Sequence, residues 1–290
     1  MTTITALNPQ AKATVLSEAL PYIREYHGRT VVVKIGGAAL DDPALSQVVA
    51  ADLALLNLVG IRLVVVHGGG PQVSQAMTAA GIQPQFVGGL RVTDAASIAL
   101  VRQVLVGSIN ADLVARLCRA GLKAVGLSGI DGNLIRAERT SGPSGEDLGF
   151  VGAVEAVDRT VLDSLLGQEF TPVIASVAPS PDGDYLNVNA DTVAGEVAAA
   201  LQAAKLVYLT NVEGLYRDLG DAGSLMSELR RGELAALAEG FSDGMRPKVA
   251  SALRALDCGV GKVHVLDGRV EHALLLEVFT DQGIGTQVLP

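Results

Sequence analysis

A lysine stands inside an apolar run, Val31–Val32–Val33–Lys34–Ile35, and two glycines, Gly36 and Gly37, follow it. Three consecutive β-branched residues read as a buried strand of a parallel sheet. An ammonium in that setting is costly unless an anion meets it. Glycine backbone approaches a ligand closely and can aim its N–H groups at one. One reading is a wall of a phosphate site; the other is a lysine snorkelling from a strand end beside a tight turn. A second junction of this kind, His67–Gly68–Gly69–Gly70–Pro71, joins a strand to a helix. Its glycine amides lie at a positive helix end, with proline suited to the first turn. Two glycine clusters at two strand ends favour anion binding over two unrelated tight turns.

Three further stretches carry polar residues in positions that could do chemistry. Lys248 follows Pro247 in a first helical turn, where a lysine opposes the helix dipole by about 0.3–1 kcal/mol. It is either a solvated surface lysine or a cation aimed at phosphate, and Arg246 could share that role. Asn187–Val188–Asn189–Ala190–Asp191 opens a helix. Asn189 suits an N-cap and Asp191 suits the positive helix end. The alternative is that Asp191 orients the two lysines while the asparagine amides hold substrate. Arg91, in Leu90–Arg91–Val92–Thr93–Asp94, is suited to bidentate carboxylate recognition or to an ion pair with Asp94. Neither GxxxxGK[ST] nor GxGxxG occurs, and no Ser–His–Asp or metal-ligand cluster is evident. Two cations, glycine amides, one aspartate and one arginine suit phosphoryl transfer to an acceptor that is already a nucleophile. A carboxylate acceptor needs no general base.

Strands and helices alternate from Arg29 onward. Strands are expected at 29–35, 63–67, 123–127, 171–176, 185–188, 205–210 and 262–267, with an edge strand at 286–289. A hairpin is expected from 133–139 and 150–155, and an extended segment with a turn at Gly88–Gly89 from 86–92. Helices are expected at 43–58, 72–80, 94–107, 110–120, 158–167, 190–201, 233–239, 247–257 and 271–279. This βαβ alternation predicts an α/β fold with an open, mostly parallel twisted sheet and helices on both faces. Ligands of such sheets sit at the carboxyl ends of strands. Ahead of it, residues 11–26 form a helix of their own, started by Asn8–Pro9 and expected to kink at Pro21. Its stripe of Val15, Ala19, Tyr22 and Tyr26 needs a partner on this chain or another.

The 290 residues allow one large domain or two lobes, and the punctuation Ala178–Asp184 marks a lobe boundary. A net charge of -9 argues against a nucleic-acid surface or an anionic membrane partner, so a phosphate site must be local. Cys118 and Cys258 fit no metal spacing or disulfide framework, and a reducing cytoplasm is the expectation. The N-terminus lacks a signal pattern, and no apolar run is expected to span a bilayer.

The stretches VVVKIGGAAL, VVVHGGGPQV, GLRVTD, NVNADTVAGE, YLTNVEGLY, DGMRPKVASAL and VHVLDGRVEHALLLEVFTDQGIGT resemble the amino-acid kinase family, specifically its acetylglutamate kinases. They run from Val31 to Thr286. The resemblance implies the amino-acid kinase fold, with residues 27–178 as an N-lobe for acetylglutamate and 179–290 as a C-lobe for MgATP. Residues 1–26 would be an added oligomerisation and regulatory helix. It implies ATP-dependent phosphorylation of the side-chain carboxylate of N-acetyl-L-glutamate in arginine biosynthesis, with no protein-ligated metal. The alternatives are a kinase for an aminoadipate derivative in lysine biosynthesis and a non-catalytic nucleotide-binding protein.

Residue by residue, Lys34 and Lys248 match the phosphate-stabilising lysines and Asp191 the aspartate that organises them. Gly36, Gly37, Gly69 and Gly70 match the glycines whose amides meet the phosphoryl group. Arg91, Asn187 and Asn189 match the substrate positions. Gly88, where a polar residue is usual, and Arg246, where an apolar one is usual, depart from the pattern. Tyr22, His264, Glu277 and Gly283 resemble the regulatory site of arginine-inhibited members. A hexamer built as a trimer of dimers and inhibition by L-arginine are therefore expected, and the resemblance allows a PII-type signalling protein as partner.

Overall fold

The computed structural model describes residues 8–218, 220–280 and 283–290, without the side chains of Lys12 and Ala222. Residues 1–7 of the expected N-terminal unit lie outside the described residues. Eight strands make the main sheet: β1 (Thr30–Ile35), β2 (Arg62–His67), β5 (Ala124–Ser128), β8 (Thr171–Ala175), β11 (Lys205–Thr210), β12 (Glu228–Arg230), β13 (Lys262–Asp267) and β14 (Thr286–Leu289). Their order is β12-β14-β13-β11-β1-β2-β8-β5, parallel at each junction except β13–β14. The earlier and later halves of the chain therefore lie side by side, meeting at the β1–β11 pair. The strand at 286–289, expected at the edge, lies one place in from it. β12 is the edge, three residues long and too short to stand out as an apolar run.

Side-chain alternation along the strands builds two cores. Val31, Val33, Ile35, Val65 and Val207 pack under α3 (Pro43–Leu58), whose Leu53 and Leu56 are fully buried. Val32, Val64, Val66, Leu206 and Tyr208 face α8 (Ala190–Leu201) and α10 (Arg246–Asp257). Each such side chain stabilises the fold by about 1.5–3 kcal/mol. The period of two puts Lys34 on the same face as Val32, toward α8. In register, Lys34 lies between Val66 of β2 and Tyr208 of β11.

A second sheet, β6 (Ile135–Ser141), β7 (Asp147–Val157), β10 (Tyr185–Val188) and β9 (Val177–Pro179), runs in the order β6-β7-β10-β9. The expected hairpin and the punctuated segment at 178–184 both belong to it: β9 and β10 pair antiparallel across that turn. The two helices expected at 94–107 and 110–120 are one. α5 (Ala95–Arg102) passes through a π-helical stretch, Gln103–Asn110, into α6 (Ala111–Arg119). Gly107 suggested a break, but the helix runs through it. Ile98, Val101, Leu105, Ile109, Leu113 and Leu117 keep one buried face throughout. By length and composition this helix could cross a membrane, contrary to the expectation for apolar runs.

α1 (Pro9–Tyr26) is one helix through Pro21, with Asn8 accepting from Ala11 N–H as its N-cap. Its stripe divides. Tyr26 is 3% exposed, near α11 (Ala273–Phe279) of its own chain, while Val15, Leu16 and Leu20 are exposed.

Candidate active site

The carboxyl ends of β1 and β2 and the amino end of α8 meet around a cavity of about 290 Å3. Lys34, Gly36, Gly37, Gly69, Gly70, Arg91, Asn187, Asn189 and Asp191 all line it. Lys248 stands behind Asp191. At one end, Asp191 is shared by both lysines: Lys34 Nζ lies 3.0 Å from Oδ1 and Lys248 Nζ 2.9 Å from Oδ2. Burial would push the Asp191 carboxyl up, but the ammonium groups of Lys248 and Lys34 overcome it and hold it well below the usual carboxylate range. Burial lowers the Lys248 ammonium, against the pull of Asp191. Asn189 caps α8 through Asp191 N–H and Thr192 N–H, so the N-cap reading of that motif and the lysine-bridging reading hold together.

The back of this cluster was not legible as a site. The Lys248 ammonium sits 4.6 Å from the Tyr208 ring centroid. The Tyr208 hydroxyl donates to Ser251 Oγ at 2.7 Å, and Ser251 Oγ donates to the Asp191 carbonyl at 2.6 Å. A side chain on Gly195 of α8 would collide with Ser251 of α10, so glycine allows the two helices to meet this closely. Nothing in a strand such as Lys205–Thr210 separates this tyrosine from an ordinary core residue.

The glycines differ in what they do. Gly36 leaves room for the Lys34 ammonium. Gly37, at φ 56°, starts the short helix α2 (Ala38–Asp41), whose Ala38 N–H donates to Asn211 Oδ1 at 2.8 Å. Gly69 precedes α4 (Gly70–Ala79), packed so closely on Leu105 and Ile109 that a Cβ would strike both.

At the cavity's other end, Arg91 is 8% exposed. Its guanidinium donates to Gly70 O and Ser74 Oγ, both at 2.8 Å, and lies 4.7 Å from the Phe86 ring centroid. Asp94, the alternative partner, instead caps α5 through Ser97 N–H. Among the described residues no carboxylate pairs with Arg91. Asn187 donates to Thr93 Oγ1 at 3.2 Å. Gly88 and Gly89, at φ 54° and 79°, form the two-residue turn between β3 (Phe86–Val87) and β4 (Leu90–Arg91), a conformation that favours glycine. The Gly88 departure thus serves the hairpin that carries Arg91. Arg246 does not share the role of Lys248: it turns away to Phe241 O at 2.9 Å and Asp243 Oδ1 at 3.3 Å.

A second cavity, about 550 Å3, opens between α1 and the far half of the sheet. Tyr22, Glu277 and Gly283 line it, while His264 lies buried behind Glu277, its Nδ1 2.7 Å from Oε1. Lys205 also lines it, 3.8 Å from Glu277 Oε1 and 4.8 Å from the Tyr26 ring centroid. Burial pushes its ammonium down to about 8. A lysine opening an otherwise buried strand was the signal for it.

The amino acid kinase family model matches residues 29–267. The acetylglutamate kinase of Symbiobacterium thermophilum is 53% identical over 285 residues, covering 96% of this chain and 97% of its own. That of Thermosynechococcus vestitus is 49% identical, covering 98% of this chain and 96% of its own. Among solved structures, N-acetylglutamate synthase of Neisseria gonorrhoeae, complexed with coenzyme A and N-acetyl-glutamate, superposes with a TM-score of 0.85 at 33% identity. The match covers 96% of this chain but 63% of the synthase. Carbamate kinase of Giardia lamblia shares the fold, with a TM-score of 0.66 at 17% identity. The chain belongs to the amino acid kinase family, within its acetylglutamate kinase branch.

Proposed function

We propose that the chain transfers the γ-phosphoryl group of ATP to the side-chain carboxylate of N-acetyl-L-glutamate, a step of arginine biosynthesis. One observation carries the reading. A single cavity has at one end Arg91, which no carboxylate among the described residues pairs with, and at the other Lys34 and Asp191, the aspartate that Lys248 holds from behind. Arg91 takes a substrate carboxylate there, with Asn187 and Asn189 beside it. The other carboxylate attacks the γ-phosphorus in line, and the bond to the β–γ bridging oxygen breaks. ADP departs with the electron pair, and no proton needs to move. Lys34 and Lys248 stabilise charge on the phosphoryl and leaving oxygens, and the amides of Gly36, Gly37, Gly69 and Gly70 complete that field. Asp191 has both oxygens committed to lysines, so magnesium enters with ATP as part of the substrate.

The reading divides the molecule at the β1–β11 junction, with residues 27–178 binding acetylglutamate, joined there by Asn187 and Asn189, and the rest of 179–290 binding MgATP. It places the protein in the cytoplasm, as a hexamer inhibited by L-arginine in the cavity of Tyr22, His264, Glu277 and Gly283. The matched synthase has also been solved with coenzyme A and L-arginine, which supports arginine as a ligand of this fold. Identity to acetylglutamate kinases over nearly the whole chain disfavours the aminoadipate and non-catalytic alternatives.

ATP turnover with N-acetylglutamate, with the acetylated aminoadipate homologue and with no acceptor tests the assignment. Turnover is expected with the first, and Lys34→Ala is expected to lower kcat far more than it raises either KM. Faster turnover of the longer acid, or an unchanged kcat for Lys34→Ala, overturns it.

A further inference from the structure

His67 ends β2 and is fully buried, one residue before the glycine run. Its Nδ1 lies 2.9 Å from Gly68 O, and its Nε2 lies 3.0 Å from Asn110 Nδ2. A carbonyl oxygen only accepts, so Nδ1 carries the proton and Nε2 accepts from the Asn110 amide. The second Asn110 N–H donates to Val173 O of the neighbouring strand at 2.9 Å. Asn110 closes the π-helical stretch, whose Leu105 and Ile109 press on Gly69. Burial, with the Lys34 charge nearby, pushes the imidazole down to about 4, so it is neutral at neutral pH.

The Gly68–Gly69 peptide is trans, so its C=O and N–H point in opposite directions. Holding Gly68 O inward on the imidazole turns Gly69 N–H outward, at the start of α4 beside the cavity. Among the described residues no protein acceptor meets that N–H.

We propose that His67, held by Asn110 from the π-helical stretch, is a positioning residue that orients the Gly69 N–H toward the transferring phosphoryl group. The proposal rests on the phosphotransfer reading of the cavity. His67 touches no substrate; it acts through the peptide that it holds. Nor could a charged imidazole serve, because Nε2 would then face the Asn110 N–H donor with a second donor.

Three variants and one spectrum test this. His67→Leu removes the donor to Gly68 O and is expected to lower kcat roughly 10- to 100-fold, with both KM values near the parent's. His67→Asn keeps an N–H near the Nδ1 position and is expected to recover most of that loss. Asn110→Leu frees the imidazole and is expected to lower kcat with the same split. On the unaltered protein, imidazole 15N shifts at pH 7 are expected to report His67 protonated at Nδ1 and bare at Nε2. Parent kcat in a folded His67→Leu protein overturns the proposal, as does an Nε2-protonated imidazole. An unaltered protein without acetylglutamate-dependent turnover overturns the phosphotransfer reading instead, while the tautomer still tests the His67–Gly68 contact.

Discussion

Arg91 shows how a residue's missing partner can be more informative than the ones it has. A buried guanidinium ordinarily finds a carboxylate, and here its hydrogen bonds go to a carbonyl, a hydroxyl and a sulfur. Lysine in its place keeps the charge but loses the planar fork. Arg91→Lys is therefore expected to raise the acetylglutamate KM while leaving the ATP KM nearly unchanged, as steady-state kinetics with each substrate varied will show; equal loss for both would make Arg91 structural. His67 gives a second residue-scale expectation, read through stability. Its folded-state pKa of about 4 lies below the ordinary 6.5, so the unfolded chain binds more protons between those values. Stability is then fully present above about 6.5 and falls as pH drops toward 4, by about 3 kcal/mol in all. Urea unfolding at pH 7 and at pH 4.5 should show a smaller acid loss in His67→Asn than in the parent. Lys34, Arg91 and the glycines stood out in the sequence because a cation or a bare amide in an apolar context asks for an anion. Whether Asp191 serves lysines or only a helix end could not be read, because an N-terminal helical turn welcomes a carboxylate in either case.

Among the elements, the α8–β11–α10 contact holds the Lys248 ammonium in place. Tyr208 on β11 offers its ring face to Lys248 and, through Ser251, reaches the carbonyl of the residue that pairs with it. Asp191 and the Tyr208 ring favour the charged ammonium, while burial and Lys34 oppose it. Removing the ring weakens the charged form. Tyr208→Leu is thus expected to lower kcat and to move its alkaline loss to lower pH, whereas Tyr208→Phe keeps the ring and the parent's profile. Identical pH profiles for both variants would reduce Tyr208 to core packing. The elements themselves were largely legible, since β-branched runs, N-caps and glycine turns mark most strand and helix ends. Several were not, the short α2 and β9 among them. β12 is too short to carry a pattern, the second sheet arises from long-range pairing of β7 with β10, and the π-helical stretch shifts the period that separates one helix from two.

Across the whole molecule, α1 is an element whose apolar residues divide between a buried end and an exposed middle. Its C-terminal turn packs on its own chain: Tyr26 is buried against the Lys205 ammonium, and Tyr22 lines the second cavity. Its middle presents Val15, Leu16 and Leu20, the last two 72% and 47% exposed. Of the expected stripe, Tyr26 packs on its own chain and Val15 is exposed, with Leu16 and Leu20 exposed beside it. Deleting residues 1–26 would remove the packed end and the exposed middle together, because it takes Tyr22 and Tyr26 with it. Leu16→Glu with Leu20→Glu separates them: it places charge on the outward face and leaves the cavity's own residues intact. If α1 pairs between dimers, the double variant is expected to have a dimer's mass by light scattering where the parent is a hexamer. If arginine acts by favouring a more open arrangement of dimers, its inhibition weakens in the same variant, because the ligand then has no pair of assembled states to bias. A variant with the parent's mass rules out pairing through this face. One that falls to dimers and keeps full arginine sensitivity instead places the inhibitory coupling inside a single dimer, along α11 from Glu277 toward the sheet.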